Sequence, residues 1–142
     1  MPQPLRRALG AIFLFGSVGT AAELILLGHT EDVWQNVPLA LIGIACAVLA
    51  ILVVRPSGIG VRTFQLAMAA FIASGVAGVL LHYRGNVEFE LELQPDASGF
   101  GLFSAAMTGA TPALAPGTMI LLGALGLAYT YRSGEGVEGR HR

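Results

Sequence analysis

The chain has 142 residues, 54% hydrophobic and only 12% charged, with a mean hydropathy of +0.69 and a formal net charge of −1. Soluble domains carry roughly a quarter charged residues, so a water-soluble globule is close to excluded, and the length allows one domain. Eight arginines and no lysine against nine acids leave no basic surplus for nucleic acid. The single cysteine, Cys46, permits neither an internal disulfide nor a CxxC site.

A helix rising about 1.5 Å per residue needs roughly 20 mostly apolar residues to cross a hydrocarbon core of about 30 Å. In chain order, the stretches that qualify are 8–28, 37–54, 64–83 and 113–131. The connections 29–36 and 55–63 are short, the second with Pro56, Gly58 and Gly60 as turn formers. Such connections make successive helices antiparallel neighbours. The fold class expected is therefore an all-α integral membrane protein, one membrane domain over 1–142 built as a four-transmembrane-helix antiparallel bundle. Trp34, Tyr83, Tyr129 and Tyr131 fall where interfacial aromatic anchors belong. Arg6, Arg7 and the apolar run to Val18 imitate a cleavable signal, but the run continues through Leu24–Leu27 to spanning length.

Arginine placement sets the expected direction, because cytoplasmic loops collect positive charge. Arg6, Arg7, Arg55, Arg62, Arg132, Arg140 and Arg142 fall on one side of the four spans, with only Glu135 and Glu138 opposing them. Arg84 stands alone on the other side against Glu31, Asp32, Glu88, Glu90, Glu92 and Asp96. Both termini, including the tail 132–142, are expected in the cytoplasm, and the protein in the cytoplasmic (inner) membrane.

The second outer loop, 84–112, is too long for a mere connection and is expected to carry function. Val87–Leu93 alternates apolar and acidic residues, which predicts a β-strand with Val87, Phe89, Leu91 and Leu93 on one face and Glu88, Glu90 and Glu92 on the other. After Pro95, Asp96 or Ser98 is placed to cap a helix reaching about Gly109. Phe100, Phe103 and Met107 recur in it at helical spacing, as in a helix lying on the outer interface. Strand and interfacial helix together predict a small outer cap. Pro112 and Pro116 suit the start of the fourth span.

Among individual residues Glu23 is the sharpest, because a carboxylate inside a span costs a few kcal/mol and usually faces the protein interior. Gly16, Gly19 and Thr20 precede it at three- and four-residue steps, which predicts a close helix–helix contact around it. His82 ends the third span behind Ser74, Gly75 and Gly78, within about one helical turn of the depth of Glu23. His29 lies in the first outer loop. A metal site would gather His29, Glu31, Asp32, His82 and an acid from 88–92, but no diagnostic spacing is present and no cofactor is expected. Haem between His29 and His82 would sit at the membrane surface. Nucleophile and phosphate motifs are absent, and Cys46 reads as an apolar residue of the second span. Glu88, Glu90 and Glu92 form either a solvated face or one that meets a basic partner.

Four helices with a single glutamate in the first, within Ala22-Glu23-Leu24, resemble the architecture of the small multidrug-resistance exporters, whose membrane glutamate exchanges protons for cationic drugs. Those exporters are shorter and have no 29-residue outer loop. The resemblance implies a proton- or cation-coupled transporter using Glu23, the second reading of function. The first is a non-enzymatic accessory, assembly or scaffold subunit that meets lipid and a protein partner or its own copies. The third is a metal-binding membrane protein or enzyme with a site near Glu23 and His82.

Overall fold

The computed structural model describes residues 1–109 and 111–131, all helix and turn, with no strand among them. The helices are α1 (Gln3–Leu26), α2 (Val33–Val54), α3 (Gly58–Leu93), α4 (Gly99–Met107) and α5 (Gly117–Thr130). Three of them, α1, α2 and α3, are long and apolar enough to cross a membrane. The tail 132–142 lies outside the described residues.

Local chemistry sets the helix ends. α1 stops at Gly28, whose φ of +65° only a residue without a Cβ adopts readily. The Gly28 N–H donates to the Ile25 carbonyl (3.0 Å) and the His29 N–H to the Leu24 carbonyl (2.9 Å), a Schellman closure. Asp32 then caps α2. Its Oδ1 accepts from the Trp34 N–H (3.2 Å), while Gln35 Oε1 accepts from the Glu31 N–H (2.9 Å). Ser57 caps α3 by accepting from the Gly60 N–H at 3.0 Å.

The strand predicted over Val87–Leu93 is not formed. These residues are the last two turns of α3, a helix of 36 residues and about 54 Å at 1.5 Å per residue. Burial there follows the helical period, with Asn86, Val87, Glu90 and Leu91 turned inward and Glu88, Phe89, Glu92 and Leu93 exposed. Glu and Leu are strong helix formers, and adding residues to an existing helix carries no nucleation cost. A lone strand would have left its backbone unpaired. The acidic alternation is therefore compatible with period two but does not select it.

The span expected over 113–131 is not formed as one helix: α5 begins only at Gly117 and has 14 residues, short of spanning length. Ahead of it run i→i+3 turns from the Pro112 carbonyl to the Ala115 N–H and from the Leu114 carbonyl to the Gly117 N–H. Pro112 and Pro116 lack the amides a regular helix would use.

α5 packs most extensively against α3, and α1 touches both α2 and α5 while α2 touches α3. The α3–α5 approach is at backbone level. A Cβ on Gly75 would stand 2.6 Å from Ile120 Cγ1 and 2.9 Å from the Pro116 carbonyl, and one on Gly123 2.7 Å from the Met68 carbonyl. Between the helices Phe13 meets Phe64 edge-on at 5.5 Å and Phe71 at 6.0 Å, and Phe64 meets Tyr129 at 6.0 Å. All three phenylalanines are fully buried. Burying such a side chain is worth about 1.5–3 kcal/mol against water, but lipid is as apolar as the core, so in a bilayer packing fit and small residues carry the association.

Candidate functional site at the α4 end

The end of the molecule that carries α4 is organised by two residues one turn apart on α3, His82 and Asn86. Asn86 is 2% exposed. Its Nδ2 donates to the carbonyls of Ala106 (2.8 Å) and Thr111 (2.6 Å), and its Oδ1 accepts from the Thr111 N–H at 3.2 Å. One side chain thus satisfies the Ala106 carbonyl in the last turn of α4 and both backbone groups of Thr111 in the non-helical connection beyond it. Gly109 lies against it, and a Cβ there would be 2.9 Å from Asn86 Cγ. One turn earlier, His82 Nδ1 lies 3.1 Å from the Pro112 carbonyl. A carbonyl only accepts, so the ring nitrogen donates.

These bonds bring α4 back along α3. Ser98, Gly101, Leu102 and Ala105 line a cleft whose α3 side is formed by Glu90 and Gln94, and Ala106, fully buried, lies by Asn86. Phe103 meets Tyr83 at 5.9 Å and Phe100 at 6.1 Å. α4 thus folds down against the exposed turns of α3 as the second arm of a helical hairpin. Ser98 occupies its N-cap position without a side-chain cap bond, and the helix ends at Met107, short of Gly109.

The sequence-derived candidates separate. His29 and His82 come together, with ring centroids 6.2 Å apart and planes at 67°. Both are half-buried. Glu23 is exposed, in the final turn of α1, and among the described residues no donor reaches its carboxyl. The buried stripe of α1 runs through Gly10, Phe13 and Ser17, with Thr20, Ala21 and Leu24 half-buried, and leaves Gly19 and Glu23 to one side. Gly16 does pack closely, against Leu122 of α5. Of the acidic candidates, Glu90 faces the α3–α4 cleft, Glu88 pairs with Arg84 at 2.9 Å on the surface, and Glu92 is exposed. No group of three or more His, Cys, Asp or Glu side chains suited to a metal occurs among the described residues.

Sequence reasoning missed Asn86. The usable signal was its spacing of four from His82, which becomes visible once Arg84–Leu93 is read as helix. Comparison with protein-family models, with curated proteins and with solved structures finds no match to this chain.

Proposed function

We propose that the chain is a small polytopic inner-membrane protein, a four-helix bundle with both termini cytoplasmic. In this reading it acts as a non-enzymatic accessory, assembly or scaffold subunit that presents the α3–α4 hairpin to a protein partner. The carrying observation is the pinning of that hairpin by Asn86. A buried amide making three backbone hydrogen bonds holds the hairpin in one shape, as a surface recognised by a partner requires. α5 serves as the fourth span together with 111–116. Non-helical backbone at membrane depth is tolerated where protein groups satisfy it, and the Asn86 and His82 bonds to Thr111 and Pro112 are of that kind. The hairpin presents Phe100, 81% exposed, and Phe103, half exposed, packed beside Tyr83 of α3. An exposed aromatic patch of this kind suits a partner with an apolar groove.

The test places a photocrosslinking residue at Phe100 or, as a control, at exposed Ile44 on α2, in the membranes of cells making the full chain. A discrete protein adduct is expected from position 100 and not from position 44, and Phe103→Ala should reduce it. Lipid adducts alone at position 100 would reject the reading.

A further inference from the structure

The paired histidines belong to the α1–α2 turn and to α3, and each is fixed by backbone bonds. The Schellman closure holds His29, which directly follows Gly28 and donates its N–H to the Leu24 carbonyl. The Pro112 carbonyl holds His82 through Nδ1–H at 3.1 Å. With the proton on Nδ1, the neutral ring keeps a lone pair on Nε2. This is the arrangement metal-binding histidines favour, since donation of the other ring N–H to a carbonyl fixes the tautomer and raises ligand basicity.

A metal–nitrogen bond of about 2.0–2.1 Å sets each ring centroid roughly 3.2 Å from the ion, so two rings on one ion have centroids about 5.2 Å apart at a tetrahedral angle and about 6.4 Å apart when opposed. The observed 6.2 Å is that of nearly opposed rings, and a shared tetrahedral ion requires the His29 ring, which makes no side-chain hydrogen bond among the described residues, to turn about 1 Å inward. We propose that His29 and His82 are the two protein ligands of one divalent copper or zinc ion, bound at the α4 end of the molecule. Imidazole suits both metals, with copper held more tightly. Glu31, exposed two residues after His29, and Asp32 add negative charge on the same turn. With no third ligating side chain clustered among the described residues, water completes the coordination. The site is accordingly one of exchange or capture, unlike the closed four-ligand sites that hold folds together. It stands independently of the hairpin's role in partner binding.

The test uses the full chain in lipid nanodiscs, titrated calorimetrically with CuCl2 and with ZnCl2. One ion per chain is expected, Cu2+ tighter than Zn2+, and a Cu2+ electron paramagnetic resonance spectrum showing nitrogen couplings. His29→Ala and His82→Ala should each weaken binding by at least about tenfold, while His141→Ala leaves it unchanged. If loss of the Pro112 contact makes His82→Ala fail to fold, His29→Ala decides alone, with circular dichroism as the check on its fold. Absence of binding, one ion per two chains, unaltered affinity in His29→Ala, or loss of binding in His141→Ala would each overturn the proposal.

Discussion

Two buried polar side chains stand at opposite ends of the scale of usefulness. Asn86 satisfies three backbone groups, whereas the fully buried Ser17 Oγ has no partner among the described residues. Leaving a buried donor or acceptor unpaired costs about 1–3 kcal/mol. Asn86→Leu should therefore lower stability by about 2–5 kcal/mol and free 106–112, read as a drop in thermal midpoint in detergent and faster amide exchange there. Asn86→Asp keeps the acceptor for the Thr111 N–H but sets a buried carboxyl oxygen against the Ala106 and Thr111 carbonyls, and should cost at least as much as Leu. Ser17→Ala removes a desolvated hydroxyl and should be neutral or slightly stabilising. Glu23 drew weight in the sequence because depth was counted along a span of 8–28. The helix in fact runs from Gln3 to Leu26, which puts Glu23 in its last turn, about 13 Å from the helix midpoint at 1.5 Å per residue. Glu23→Leu should then leave thermal stability within about 0.5 kcal/mol, as exposed substitutions do.

At the scale of elements, the apolar spans were legible because a run of some 20 apolar residues has few alternatives, and α1 and α2 cover most of their expected ranges. The stretch Val87–Leu93 was not, because seven residues of alternation are a weak signal beside the 29 helical residues that precede them in α3. Accessibility scanning by single spin labels should show positions 88, 89, 92 and 93 open to a polar relaxant and 87, 90 and 91 protected. A strict odd–even pattern would reverse the assignment. The α3–α5 contact offers a second test. In Gly123→Ala the new methyl meets the Met68 carbonyl, a backbone atom that cannot swing away, so the variant should lose about 1–3 kcal/mol by overpacking. Gly43→Ala meets nothing within 4 Å and should gain about 0.5–1 kcal/mol from reduced backbone freedom.

At the scale of the molecule, charge and geometry give the same two ends. The Schellman turn with His29, the last turns of α3 with His82 and Asn86, and α4 all lie at one end, together with the acids Glu31, Asp32, Glu88, Glu90, Glu92 and Asp96. At the other, Arg6 lies over the Tyr129 ring at 5.0 Å, and Arg55 and Arg62 flank the α2–α3 connection. Moving the arginine-rich end across the bilayer would oppose the charge bias that sets topology, so the α4 end should face outward. In that orientation an ion or partner outside the cell would meet it without crossing lipid. Cys46 is the sole cysteine, so Cys46→Ala supplies a blank background for thiol labelling. Asp96→Cys lies in the exposed α3–α4 connection, and Gly58→Cys at the start of α3, where a side chain meets nothing within 4 Å. A membrane-impermeant maleimide added to intact cells should label the first and leave the second unlabelled until the cells are permeabilised. The opposite pattern would put the histidines and the acidic hairpin inside, and the ion or partner they meet would then be cytoplasmic.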